Sequence, residues 1–370
     1  LRVISKEGIL VCEKNILEED YDLFVDSDDS SLDDFFLLFD KSFSLLPEEY
    51  LNVCSQLKIT GPDRFKVAPQ SVVKDSIKKM RSEIDAILSV SENVEYLEKY
   101  VIMRSFLDSM KTVQVNSGRL DALIKSQQHD GVKSNLSSFV KPCKIKYSMS
   151  NSSTGRLSVL SGPKILTSPQ EVKQVFKSRH KNGCILQIDL SCAEPNFALF
   201  VSGKETKKDL YSFCSDEVLE GRVDRKTAKL VLLSALYGQS ARNLKSSLPN
   251  GIDPLRVTSK VREFLSAPQL QESLRSKWSS GDLRNHLKRP LRPKQQRLLI
   301  SHYLQSSVAE ASILMFRDFC KLHEVDPVFV IHDALIVDCS HTVANSLLKS
   351  DNFNLEYENE KFPAVITKLG

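Results

Sequence analysis

Two hydrophobic periods alternate along this 370-residue chain. A period near 3.6 predicts helices. From Ser71, the positions Val73, Ile77, Met80, Ile84 and Ile87 step by four and three, with Lys74, Lys78, Lys79 and Arg81 elsewhere on the surface. A second helix is predicted from about Asn93 to Lys111, with Leu97, Val101, Ile102, Phe106 and Met110 on a broad apolar face. Ser91 or Glu92 falls between them, so the two predict an antiparallel helical hairpin. Residues 255 to 320 read as mainly helical, and from Lys294 to Cys320 the core face is Leu299, Tyr303, Val308, Ala311, Met315 and Phe319. A polar stripe, Arg297, Ser301 and Gln305, occupies another face of that helix.

Short continuous apolar runs predict buried strands instead. Ile185 to Ile188 delivers one carboxylate, Asp189, to the strand's C-terminal end before a polar turn. Val328 to Ile331 and Ala334 to Cys339 flank the pair His332-Asp333, which predicts a hairpin with that pair at its tip. A carboxylate after an apolar strand is costly to desolvate unless a cation faces it. If the hairpin tip meets the end of the first strand, Asp189 and Asp333 form a pair able to hold two divalent metals, an arrangement suited to in-line phosphoryl transfer. A helix from Val343 to Lys349 and a strand from Pro363 to Thr367 are expected to complete the sheet.

Charge changes this picture in one respect. The net charge is +4, but residues 1–50 carry fourteen acidic and four basic side chains, a net of −10, which leaves +14 on the remainder. A basic body suits a polyanionic partner such as nucleic acid. In the N-terminal region, Ile9 to Val11 and Phe35 to Phe39 are separated by the acidic tract Asp26 to Asp34, which predicts a small α/β element or a partly disordered arm with a partner-docking or scaffold role. The eight cysteines include no CxxC pair, so a zinc site is not expected and the thiols read as reduced. No apolar run is long enough to span a membrane and no signal-peptide pattern opens the chain, so an intracellular protein is expected, with no choice among cytoplasmic, viral or organellar settings.

Two further segments carry candidate chemistry. Lys141, Lys144 and Lys146 precede the hydroxyl-rich loop Ser148 to Thr154 and then Gly155-Arg156, the residue types that phosphate and sugar contacts use. After Asp189, residues 194–201 predict a helix with Pro195 in its first turn. In the next helix Asp224 is the expected N-cap, and Arg225, Lys229, Leu233 and Tyr237 recur every four residues before Gly238 ends it. Cations one turn apart repel, so an anion between them is attractive, and a triphosphate is a natural candidate.

Taken in order, TGRLS at 154–158, Asp189 with Glu194, Arg225-x3-Lys229-x7-Tyr237-Gly238, Gln305 and His332-Asp333 resemble the motifs of the family A DNA polymerases over roughly residues 72–370. The resemblance implies an α+β right-hand fold: an antiparallel palm sheet, a helical thumb, helical fingers and a small acidic N-terminal region. Its divisions would be 1–70 (N-terminal, partner-binding), 71–140 (thumb-like hairpin), 141–220 and 291–370 (palm), and 221–290 (fingers). The implied activity is template-dependent addition of dNTPs to a primer 3′-hydroxyl. Asp189 and Asp333 would hold two Mg²⁺, with Mn²⁺ able to substitute. Arg225 and Lys229 would hold the triphosphate, Lys229 also being placed to protonate the leaving group. Leu233 and Tyr237 would border the nascent base pair, and Glu194 would pair with Tyr237 and close the space of a ribose 2′-hydroxyl. Thr154, Arg156, Arg297, Gln305 and His332 would contact primer and template, and the acidic residues 1–70 a protein partner.

Several positions depart from the family pattern. Its DYSQIELR reads DLSCAEPN here, with Leu190, Cys192 and Asn196 at the Tyr, Gln and Arg positions. Leu233 stands for the usual aromatic, and Ala334 for the acid that commonly follows His-Asp. The segment from Asp189 to Arg225 is short, which implies trimmed fingers. Residues 1–70 are too few for a usual 3′→5′ exonuclease, so no intrinsic proofreading is expected. A single-subunit RNA polymerase and a catalytically silent DNA-binding scaffold are the alternatives. Glu194 speaks against the first, and the joint retention of Asp189, Lys229 and Asp333 against the second.

Overall fold

The computed structural model describes residues 2–5, 8–11, 14–16, 35–39, 41, 46–59, 66–141, 144–239, 241–349 and 353–369, the side chains at 2–16, 70, 74, 77, 81, 241 and 242 excepted. The acidic tract Asp26 to Asp34 and the side chains of Lys74, Ile77 and Arg81 lie outside the described set. The chain divides into two compact units, Leu1–Ser105 with Leu287–Pro290, and Phe106–His286 with Leu291–Gly370.

In the first unit, Arg2–Ser5, Gly8–Val11 and Lys14–Ile16 form a three-stranded antiparallel sheet in chain order. Helix Gln70–Leu88 buries Met80, Ile84, Ile87 and Leu88, following the 3.6-residue period of its sequence. After Ser89 and Val90 helix Ser91–Asp108 begins, and the buried Asn93 amide donates to Ile87 O at 2.8 Å, holding the junction. This helix differs from the sequence expectation: it ends three residues short of Lys111, Val101 is half-buried and Ile102 is 40% exposed. Leu97, Phe106 and Met110 are buried as expected, and the buried side also takes in Tyr96, Tyr100, Met103, Arg104 and Leu107. The displacement has a physical reason, because Tyr and Arg present long apolar bodies behind polar tips and cover core as well as aliphatics do.

The second unit is built on a five-stranded antiparallel sheet. Its strands are β1 (Cys184–Leu190), β2 (Asp326–Ile331), β3 (Ala334–Cys339), β4 (Phe353–Tyr357) and β5 (Glu360–Leu369), in the spatial order β4-β5-β1-β3-β2. β1 is therefore internal, paired with β3 on one side and β5 on the other. The strand β4 and its two-residue turn Glu358-Asn359, both at left-handed φ, carry no apolar run and were not expected. The edge strand β2 is covered by a side chain: the buried Tyr147 hydroxyl donates to Val330 O at 3.0 Å and accepts from Val330 N at 3.2 Å.

Helix α1 (Ala193–Val201) follows β1, and α2 (Arg225–Leu236) begins at Asp224, whose carboxylate accepts from Thr227 N at 2.8 Å. The long helix α3 (Leu299–His323) buries all six expected core positions. It also buries Glu310 and Ser306, both of which accept hydrogen bonds from the Asn285 amide. The expected helical run from 255 to 320 is interrupted: helices Pro254–Phe264 and Ala267–Ser279 are followed by irregular chain up to residue 295. Gly281, at φ +77°, ends the second of these, and Pro290 and Pro293 keep the backbone out of a new helix.

Candidate active site

The alternation of a strand decides which β1 residues can meet a ligand. Leu186, Ile188 and Leu190 are buried on one face; Gln187 and Asp189 emerge on the other. The hairpin β2-β3 then brings its tip to the end of β1. His332 takes φ +55°, which turns the chain, and Leu190 N donates to Asp333 O at 3.1 Å. One backbone hydrogen bond thus ties the two aspartate-bearing segments together. Asp189 is flanked in register by Ala334 on β3 and Val365 on β5, and neither can solvate it. Burial, and then the charge of Asp333, push the Asp189 carboxyl up to about 6. Lys173, the Gln187 amide and Lys229 oppose the rise. Lys173 Nζ donates to Gln187 Oε1 at 3.0 Å, and Gln187 Nε2 approaches Asp189 Oδ2 at 3.4 Å, so a short polar relay reaches Asp189 from its own sheet face.

The second wall comes from the first turn of α1. Glu194 accepts from Arg156 at 2.5 Å on Oε1 and from the Tyr237 hydroxyl on Oε2. Burial pushes the Glu194 carboxyl up, and the Arg156 guanidinium opposes it. Tyr237 sits at the C-terminal end of α2, where Gly238, at φ +65°, ends the helix. Three segments distant in sequence therefore converge on one carboxylate.

The third wall is cationic. Arg225, Lys229 and Leu233 share the face of α2 that lines the cavity, as their four-residue spacing requires. Both cations lie against Tyr211, with the Arg225 guanidinium 5.5 Å and the Lys229 ammonium 5.3 Å from the ring centre. Arg225 Nε also donates to Asp209 at 2.8 Å. Burial pushes Asp209 up, but hydrogen bonds from Arg225 and Ser212 outweigh it and leave that carboxyl below its ordinary value.

These walls enclose a cavity of about 880 Å³. Asp189, Asp333, Glu194, Arg156, Arg225, Lys229, Leu233, Gln305 and His332 all line it. Tyr237 reaches it only through Glu194. Thr154 and Arg297 are not brought to its wall. The Thr154 hydroxyl is engaged with Ser152 at 3.0 Å inside its own loop, and Arg297 is exposed and donates to Gln295 at 2.6 Å. Asn196, at the position of an expected arginine, is fully buried: its amide donates to Ser191 O and Lys207 O and accepts from Lys207 N, stapling the loop after α1. The sequence reading missed Lys173, Gln187, Asp209 and Tyr211. Only Asp209 carried a local signal, as the N-cap of a four-residue helix, Leu210–Phe213.

The donor set on the cavity floor suits a hard divalent cation: two carboxylates face one cavity, and the charge of Asp333 makes ionisation of Asp189 costlier. Among the described residues no cluster of three or more His, Cys, Asp or Glu side chains is gathered as a metal site. No helix among the described residues is long and apolar enough to cross a membrane.

No protein-family model matches the chain, and no curated protein sequence matches it. Among solved structures, the POL domain of Pol1 from M. smegmatis, in complex with DNA primer-template and dNTP, is similar at 12% identity with a TM-score of 0.45. The similarity covers 90% of this chain and 62% of that one, so the chain spans less than two thirds of the length of this neighbour.

Proposed function

We propose that the cavity is the active site of a template-dependent DNA polymerase that adds dNTPs to a primer 3′-hydroxyl, as the sequence resemblance to family A implies. The observation that carries this reading is the opposition, within one cavity, of the Asp189-Asp333 pair and the Arg225-Lys229 stripe. An acidic floor facing a cationic wall is what a metal-bound triphosphate requires.

Asp189 and Asp333 would hold two Mg²⁺, or Mn²⁺ in its place. When bound, these ions supply acidification of the primer hydroxyl and neutralisation of charge on the pyrophosphate. The chain's own residues do the rest. Arg225 exchanges Asp209 for the triphosphate; the Asp209 pair is largely exposed and therefore weak. Lys229 gives its proton to the leaving pyrophosphate oxygen. Glu194, held by Arg156 and Tyr237, occupies the place of a ribose 2′-hydroxyl and so favours dNTPs. Leu233 borders the base pair being formed, and Gln305 and His332 meet primer and template, with Arg297 and Thr154 reaching nucleic acid outside the cavity. The acidic region 1–70 remains a proposed docking arm for a partner protein.

Primer extension on a labelled primer-template with Mg²⁺ tests the reading. Extension with dNTPs but not rNTPs is expected, with no shortening of a mismatched 3′ end. Asp333→Ala should lower extension by about 10³-fold or more while duplex binding persists. Substantial turnover by that variant would remove Asp333 from the metal role, and incorporation of rNTPs by the wild type would favour an RNA polymerase.

A further inference from the structure

The single tryptophan of the chain stands outside the site described above. Trp278 lies in the last turn of helix Ala267–Ser279 and is 37% exposed, a large aromatic surface to leave in water. It forms one wall of a groove of about 200 Å³ whose other members are Gly281, Leu283, Leu291, Arg292 and Pro293. Leu283 and Leu291 are 1% exposed, so they make an apolar floor. That floor is rigid, because Leu291 N donates to Leu283 O at 2.8 Å. Gly281 N donates to Trp278 O at 3.1 Å, and its carbonyl receives Arg292 at 3.5 Å, so the guanidinium is held beside the aromatic wall.

Cations predominate in the segments that form the groove. Arg275 shares the Trp278 face of the helix one turn earlier, and Lys277, Arg292 and Lys294 follow in the same segment. All four are exposed, and no acidic side chain among the described residues pairs with them. The acid nearest the groove in sequence, Asp282, is engaged by Arg284 at 2.6 Å. A flat apolar slot between an indole and a guanidinium, rimmed by unopposed cations, is complementary to an unpaired nucleobase on its phosphate backbone. The slot is too small for a drug-sized ligand.

We propose that Trp278 and Arg292 form a stacking platform for an unpaired base of single-stranded nucleic acid. Pro293 lies four residues before Arg297, so a strand engaged by Arg297 outside the cavity has this platform next to it in the chain. The proposal takes from the proposed function only that the partner is nucleic acid, and it needs no catalysis.

Because Trp278 is the only tryptophan, indole emission reads this groove alone. The intact chain, without divalent metal or nucleotide, is titrated with oligo(dT), with a primer-template bearing a 5′ overhang and with a blunt duplex. Anisotropy of labelled copies reports binding separately. The expected result is quenching of indole emission by oligo(dT) and by the overhang at saturation, with little change on the blunt duplex. Trp278→Ala should weaken oligo(dT) binding about tenfold or more, Trp278→Phe should retain most of it, and the blunt duplex should bind both variants as tightly as the wild type. Thermal melting of both variants controls for folding. Oligo(dT) binding with unchanged indole emission, or equal affinity of Trp278→Ala, overturns the proposal, and so does absence of oligo(dT) binding. A groove that serves a proline-rich or other protein segment would give the first of these results. If extension fails but the quench is seen, the polymerase reading falls and the platform stands.

Discussion

Two aspartates on the five-stranded sheet face opposite situations. Asp338, near the end of β3, is fully buried, and its carboxylate accepts from Ser178 Oγ at 2.5 Å, Arg179 N at 2.9 Å and Arg179 Nε at 3.2 Å. Arg179 also reaches Asp326 on β2 at 2.8 Å, so the protein supplies its own counter-charge. Asp189, on the adjacent strand, has one long contact from Gln187 and a second carboxylate nearby. Where a charge serves the fold, the chain completes its environment. Where the chain leaves that environment incomplete, as at Asp189, the carboxylate is free to serve the metal role proposed for it.

Removing the satisfied carboxylate should have the larger effect on stability. Asp338→Ala leaves the Arg179 backbone amide without its acceptor and removes one of the two carboxylates facing the guanidinium, Asp326 being the other, and should cost about 2–3 kcal/mol in denaturant unfolding. A loss under about 1 kcal/mol would mean that the network around Arg179 reorganises freely. At the other aspartate, Gln187→Leu deletes the relay from Lys173 and should weaken Mn²⁺ binding about tenfold with little change in melting temperature. Unchanged affinity would leave Gln187 without a part in orienting Asp189.

Asp189→Asn should act in the opposite sense to Asp338→Ala. The folded-state pKa near 6 lies above the ordinary carboxylate value. The folded protein therefore holds a proton that the unfolded chain releases, and stability falls as pH rises through about 4 to 6. Above pH 6 the ionised Asp189 burdens the fold. After allowance for its partial exposure, Asn should raise stability at pH 7.5 by about 1 kcal/mol, and the gain should shrink through pH 6 and vanish near pH 4. A variant less stable than the wild type at pH 7.5 would show that something in the protein already compensates the charge.

The sequence exposes these two aspartates very unequally. Asp189 and Asp333 were legible because each follows an apolar run, and a carboxylate in that place is conspicuous. Likewise Arg225, Lys229 and Leu233 share a face because helical spacing forces them to. Asp338 was not legible as a paired charge, since its partners Ser178 and Arg179 are about 160 residues away and lie in irregular chain ahead of β1 that only the tertiary fold brings to it. Gln187, Lys173 and Tyr211 escaped notice for the same reason, being ordinary residues made significant by what folds against them. Helix Ser91–Asp108 shows the converse limit: Leu97 and Phe106 are buried as counted, but Val101 and Ile102 are not, and Tyr96, Tyr100 and Arg104 cover core in their stead. The expected hydroxyl contact at Thr154 met a competing local use, because short polar side chains readily bond within their own loop.

The bonding of the Tyr147 hydroxyl to β2 has a consequence for assembly. A sheet ending in an uncovered strand offers its free amides and carbonyls to any extended chain that passes, including another copy of itself. By bonding both the amide and the carbonyl of Val330, one phenol imitates a neighbouring strand for one residue and blocks continuous pairing along that edge. Growth of the sheet from molecule to molecule is thereby discouraged in the unit that carries the acidic pair.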